Sequence, residues 1–224
     1  FEDLIAKGYL SEAVINYIAL LGWAPKGERE IFSLSELVEE FDISGLSKSP
    51  AIFDPLKLKA INAEYIRMMT PEKFLEHAGP YIRQSVHRTD VDLSKIAALL
   101  QNRTEVFTDI PDQVDFIDSM PDYDLSLYEN KKMKTNRDTS LEVLKKALPA
   151  LEGLTEWNMD GLHECLFGLV AEMGVKNGYV LWPVRVAISG KQFTPGGALE
   201  IADIIGREDT LSRMRLSIDK LSKG

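Results

Sequence analysis

The sequence predicts an all-α fold. Three observations carry that expectation. Apolar residues recur three and four positions apart along most of the 224 residues. Several helix starts are marked by Ser, Thr or Asp followed by Pro, or by an acidic residue three positions on. Runs rich in β-branched residues are few.

Taken in order, Ser11 is placed to cap a helix through Val14, Ile15, Ile18 and Leu21, closed by Gly22. Ser33 and Glu36 form a capping-box pattern before Leu34, Leu37, Val38 and Phe41. Asp54-Pro55 and Thr70-Pro71 each put proline in a first turn, where its missing N–H costs nothing. Leu93, Ile96, Leu99 and Leu100 begin a helix expected to run toward Phe107. Helices over Asp138–Leu151 and Met159–Met173 follow, with Gly174 ending the second. Tyr179–Ile188 is β-branched, but reads as helix with Pro183 forcing a break or new start. The last helix carries Leu211, Met214 and Ile218, and Arg213, Arg215 and Lys220 suit the negative end of its dipole. Ala51-Ile-Phe reads as a short extended piece. The expected parts are residues 1–69, 70–120 and 121–224, with Asp118–Asp124 as a joint between the last two.

Composition narrows the function classes. With 45% hydrophobic and 27% charged residues, the chain is globular rather than disordered. Its single cysteine, Cys165, builds no disulfide framework, so a reducing, cytoplasmic setting is expected. The apolar run Ala13–Leu21 is about half of the ~20 residues a membrane helix needs, so no membrane partner is expected. The start, Phe-Glu-Asp-Leu, lacks a basic secretory lead and an initiator Met, as in a processed chain or one that begins mid-protein. A net charge of −9 argues against non-specific coating of nucleic acid, but leaves room for a shaped surface with local arginines.

No complete active site is legible. His77, His87 and His163 show no metal-ligand spacing with Cys165 or each other. Phosphate-loop, dinucleotide and Gly-x-Ser-x-Gly signatures are absent. Carboxylate pairs such as Glu39-Glu40, or Asp122 with Asp124, read as solvated faces. Three arginine-bearing stretches remain. Lys57, Ala60, Glu64 and Arg67 share one helix face, with Leu58, Ile61 and Tyr65 on another; the plain alternative is an amphipathic helix with a wet side. Gln101-Asn-Arg103 ends a helix, where the arginine also suits the dipole. The corner from Trp182-Pro-Val-Arg185 through Gly190 to Thr194-Pro-Gly-Gly, with Ile204-Ile-Gly-Arg207, offers backbone polar groups beside an arginine. That is equipment for hydrogen-bonding unstacked bases.

These stretches resemble the C-terminal half of bacterial glutamyl-tRNA synthetases. Gly8–Trp23 looks like the segment shortly after that family's ATP loop. Ser47–Leu58 with Ile61–Arg67 looks like its stem-contact region. Pro183–Gly190 and Ile204–Leu211 look like its distal anticodon-binding bundle, and Leu125–Glu156 is the weakest part of the likeness. Gly45-Leu-Ser-Lys-Ser49 looks like the Lys-Met-Ser-Lys-Ser ATP loop of class I synthetases without its first Lys and its Met, and is read as a turn.

The resemblance implies a stem-contact region followed by two anticodon-binding bundles, without the family's catalytic Rossmann domain. It implies a monomer that binds glutamate tRNA and has no cofactor of its own. ATP and magnesium would belong to the catalytic domain of the full-length ligase, and this chain alone would be inactive. Residue by residue, Arg103 falls where the family has an arginine reading the third anticodon base. Arg185 matches an arginine near the anticodon, and Thr194 and Pro195 match a loop whose backbone meets anticodon bases. Gly197 lies near the next contact, in a loop one residue longer than in some relatives. Lys57 and Arg67 fall on the helix that meets the inner corner and D-arm, and Ala60 stands where some relatives carry Trp. The rival from another class is a helical protein-interaction module that has lost tRNA contact. A standalone helical enzyme has no constellation behind it.

Overall fold

A computed structural model describes residues 1–47 and 51–223. Among these the structure is helical, with two isolated β-bridges, Trp23 to Leu46 and Asn130 to Thr135, and no sheet. The chain divides into two compact units, residues 1–84 with 93–112, and residues 85–92 with 113–224.

The first unit holds α1 (Glu2–Ala6), α2 (Ser11–Gly22), α3 (Leu34–Glu40), α4 (Pro55–Arg67), α5 (Pro71–Ile82) and α6 (Leu93–Leu100). The short α7 (Ile110–Val114) leads out of it. Start signals act as local chemistry requires. The Ser33 hydroxyl accepts from the Glu36 N–H while the Glu36 carboxylate accepts from the Ser33 N–H. Asp54 caps α4 by accepting from the backbone of Leu56 and Lys57, and Thr70 caps α5 through Lys73. Ser11 is a correction. Its hydroxyl bonds Glu12, and Leu10 occupies the cap position with its N–H held by Asn62. A second correction concerns α6, which stops at Leu100 rather than running on to Phe107. There Thr104 turns both its N–H and its hydroxyl back onto the Leu100 carbonyl, at 2.9 Å each, and Gln101–Arg103 tightens into a 3-10 turn. Ala51–Phe53 joins no strand. Lys48 and Ser49 of the Gly45–Ser49 motif lie outside the described residues.

The second unit is built from α8 (Arg137–Glu152), α9 (Met159–Met173), α10 (Asn177–Ser189) and α11 (Ala198–Lys223). Its core is aliphatic, with Val143, Leu144, Ala147, Leu162, Leu166, Val184, Ile188 and Met214 all fully or nearly fully buried. Tyr179–Ile188 is helical as expected, but the break expected at Pro183 does not form: α10 runs unbroken from Asn177 to Ser189 with Pro183 buried inside it. Gly206, at φ 84° and ψ 171°, interrupts α11 with a backbone shape that side-chain-bearing residues rarely adopt. Lys220 lies in the last turn of α11, as the dipole favours, whereas Arg213 and Arg215 stand further back and serve neighbours. Arg215 pairs with Glu152, Lys220 with Asp122, and Arg213 turns inward. Residues Asp118–Asp124 sit within this unit, where Asp118 accepts from the backbone of His87 and Arg88.

Candidate nucleic-acid interface

In the first unit, α4 carries a buried face and a wet one. Leu58, Ile61 and Ile66 are buried, while Ala60, Glu64 and Arg67 are exposed. Asn62 fastens two loops to this helix. It accepts from the Leu10 N–H at 2.8 Å and donates to the Glu105 carbonyl at 2.6 Å. Lys57 lies in the first turn with its ammonium 2.6 Å from Glu30 Oε1. Arg67 ends the helix and pairs with Glu64 one turn back. Both pairs are solvent-exposed and so weakly held, leaving the cations available to a stronger anion.

Gln101 donates to the Ile66 and Met69 carbonyls at 3.2 and 2.8 Å. This latches the turn holding Arg103 onto the end of the helix holding Arg67. Arg103 itself is exposed and has no hydrogen bond or ion pair among the described residues. A free guanidinium on a fixed turn keeps all five of its donors for a ligand.

In the second unit the arrangement is reversed. Arg185 is only 9% exposed. Its guanidinium donates to the Thr194 hydroxyl at 2.8 Å, the Gln192 carbonyl at 2.8 Å and the Lys191 carbonyl at 3.4 Å. It also lies 4.5 Å from the ring centre of Trp182. Burial pushes its pKa down, and the carbonyls it meets compensate with hydrogen bonds. Thr194 passes the bond on by donating to the Gly196 carbonyl at 2.6 Å. Pro195 is buried, and the Gly197 N–H donates to Glu200 Oε2 at 3.0 Å as α11 begins. Gly190 starts the loop at φ 65°, where a Cβ would meet Met120, Tyr123 and the Pro121 carbonyl at 3.0–3.1 Å, so glycine is required.

The loop from Lys191 to Gly197 is therefore set by one buried arginine. At its tip Phe193 is 81% exposed. Beside it lies a cavity of about 510 Å³ lined by Trp182, Arg185, Phe167, His163, Gly197 and Met133, among others. His163 stacks on Phe167 with ring centres 4.1 Å apart, giving one wall a flat aromatic surface.

The structure thus brings Arg185, Thr194, Pro195 and Gly197 together in one corner, and places Lys57, Arg67 and Arg103 on the first unit. Sequence reasoning missed three features. Arg213 is 6% exposed and donates to the Phe116, Ile117 and Ile188 carbonyls at 2.8–2.9 Å, tying three backbone segments. Arg88 bridges Asp90, Asp209 and the Ile205 carbonyl, which raises its pKa. Trp182 donates to the Leu127 carbonyl at 2.9 Å and so fixes the corner's floor. Arg213 carries no distinguishing sequence signal, since Ser212 and Met214 flank it and Arg215 stands two positions on in the same helix. Burial pushes the Cys165 thiol up, away from reactive thiolate.

An all-helical architecture with an arginine-set loop beside an aromatic cavity defines a class of helical binding domain. Residues 73–218 match the family model described as an anticodon binding domain, and the chain belongs to that family. Residues 2–60 match the model described as tRNA synthetases class I (E and Q), catalytic domain. The glutamate–tRNA ligase of Clostridium acetobutylicum is 51% identical over 223 residues, covering 100% of this chain and 46% of that protein. That of Clostridium tetani is 53% identical over 221 residues, covering 99% and 45%. A crystal structure of a glutamate tRNA ligase from Elizabethkingia meningosepticum, in complex with its amino acid, matches with a TM-score of 0.82 at 29% identity, covering 96% of this chain and 42% of that one. The chain thus spans less than half the length of the curated relatives it matches.

Proposed function

We propose that this chain is the tRNA-recognition part of a glutamate–tRNA ligase and that it grips glutamate tRNA by its anticodon. The observation that carries this reading is the corner at Arg185. Within an anticodon binding domain, a buried guanidinium shapes a loop whose remaining backbone groups and exposed Phe193 face outward beside an aromatic-walled cavity. Unstacked bases are recognised by that combination of flat apolar faces and fixed backbone donors and acceptors.

In this reading Arg185 acts on RNA indirectly, by holding Thr194, Pro195 and Gly197 in register. Arg103 acts directly, as the free guanidinium that reads the third anticodon base. Lys57 and Arg67 exchange their exposed carboxylate partners for phosphates of the inner corner and D-arm, where contacts position rather than specify. The chain works as a monomer in the cytoplasm and has no cofactor of its own. The ATP- and magnesium-dependent attachment of glutamate belongs to the full-length ligase.

The test is an electrophoretic shift of this chain with transcripts of glutamate tRNA and glutamine tRNA, beside a charging assay with glutamate and ATP. Salt-sensitive binding that favours glutamate tRNA, with no charging, is the expected result. Absence of tRNA binding, or binding indifferent to the anticodon, would move the reading to a helical module for protein partners. Charging by this chain would overturn its catalytic inactivity.

A further inference from the structure

The chain carries 35 acidic residues against 26 Lys and Arg, and many of its lysines are neutralised locally. Lys57 pairs with Glu30, Lys59 with Glu105 and Asp109, Lys191 with Asp115, and Lys220 with Asp122. Six lysines of the second unit depart from this pattern: Lys145 on α8, Lys223 on α11, and a group of four. Lys131, Lys132, Lys134 and Lys176 are exposed, and none has a hydrogen-bond or ion-pair partner among the described residues.

They are also gathered in one place. Lys132, Lys134 and Lys176 line a groove of about 830 Å³ together with Met133, Gly178 and Tyr179. Lys131 and Lys132 line the neighbouring depression with Trp182 and Gln192. Glu129 lies in that depression as well, but its carboxylate is 3.5 Å from Arg137.

The segment holding three of these lysines is a fixed turn. The Asn130 and Thr135 backbones exchange hydrogen bonds at 3.0 and 3.1 Å, the Asn130 side chain accepts from the Met133 N–H, and the Thr135 hydroxyl donates to the Tyr128 carbonyl. Met133 lies on Gly178 so closely that a Cβ there would sit 2.2 Å from its sulfur. The backbone is thus pinned while the ammonium groups reach solvent. Unpaired like charges gathered along a groove repel one another until an anion arrives, and they focus a positive field in an otherwise negative molecule.

We propose that this lysine-walled groove binds RNA phosphates and supplies the sequence-independent part of the grip. The inference rests on the anticodon-binding reading and adds a site to it. Continuity carries the choice of RNA as occupant. Met133 and Gly178 line both this groove and the cavity at Arg185, and Trp182 lines both that cavity and the Lys131 depression. A strand whose bases enter the corner passes its backbone along the lysines. An acidic protein surface would answer the charge, but would have no use for the adjoining aromatic wall.

The test uses the full chain and a fluorescently labelled glutamate tRNA transcript, with anisotropy titrations at several salt concentrations. The compared variant is Lys131→Ala, Lys132→Ala, Lys134→Ala and Lys176→Ala together. Phosphate contacts contribute roughly 0.7–0.9 each to the slope of log affinity against log salt, so the variant's slope is expected to be shallower by about 3. Affinity at low salt should fall by about tenfold or more. Preference for glutamate over glutamine tRNA and the melting temperature should be retained. Arginine at the same four positions should keep the parent slope, since charge rather than ammonium shape is required. If the parent binds with anticodon preference and the alanine set leaves its slope unchanged, the groove serves another partner and this inference fails alone. A lost slope in the arginine set would also overturn it. If the parent binds no tRNA, the inference and the anticodon reading fall together.

Discussion

The turn that carries Arg103 and the loop that Arg185 organises handle the same functional group in opposite ways. Arg103 is exposed, without a partner among the described residues, on a turn latched by Gln101. Arg185 is 9% exposed and satisfied by Lys191, Gln192 and Thr194. A guanidinium held by carbonyls of its own chain has few donors left for RNA, whereas one left in water has all of them. In the proposed reading this difference separates shaping a surface from reading a base, and it predicts that stability and specificity respond to different arginines.

The largest expected effect is therefore structural. Arg185→Ala strands the Gln192 and Lys191 carbonyls and the Thr194 hydroxyl, and should cost about 2–3 kcal/mol. Urea denaturation would show an earlier midpoint, and tRNA binding would fall with the loop's order. Arg185→Lys should rescue only part, because an ammonium cannot reproduce the planar fork. Next, Phe193→Ala should leave the melting temperature unchanged and weaken tRNA binding by about 1–3 kcal/mol if a base stacks on the ring. Arg103→Gln should alter stability by less than about 0.5 kcal/mol. Its effect should appear as relaxed discrimination at the third anticodon base in the full-length enzyme, and retained selectivity there would remove Arg103 from the reading role.

The smallest effect is one of pH, in the first unit. Hydrogen bonds from Arg29 and then from the Ser33 backbone hold Glu36 down at about 2, from an ordinary 4.5. A lowered carboxylate pKa stabilises the fold above the ordinary value, and that contribution is lost as pH falls from 4.5 toward 2. Glu36→Gln should flatten this acid limb in thermal melts. An unchanged limb would show that neither the Arg29–Glu36 pair nor the Ser33–Glu36 box survives in solution.

Much of the fold was legible because helix starts are chemically explicit. Asp54-Pro55, Thr70-Pro71 and the Ser33–Glu36 box each satisfy orphan N–H groups as their spacing requires. Ser11 misled because a tertiary bond, from Leu10 to Asn62 across 52 positions, decides where α2 begins. The helix from Leu93 stops short because the chain tightens into a 3-10 turn over Gln101–Arg103 and leaves it extended at Thr104, a change that periodicity does not register. The corner was legible as a set of residues, Arg185 with Thr194, Pro195 and Gly197, but the burial of the arginine was not. Whether a guanidinium faces RNA or its own loop depends on where seven residues of loop fold back, and no spacing encodes that. The inward turn of Arg213 and the gathering of the unpaired lysines are illegible for the same reason. A charge on a helix face or in a turn is ordinary until the structure shows which partners it has.

Ribonuclease footprinting of this chain on a glutamate tRNA transcript tests the placement of the anticodon most directly. The expected result is protection of the anticodon nucleotides, lost in Arg185→Ala and kept in Arg103→Gln. Binding that leaves the anticodon loop open to cleavage would contradict it.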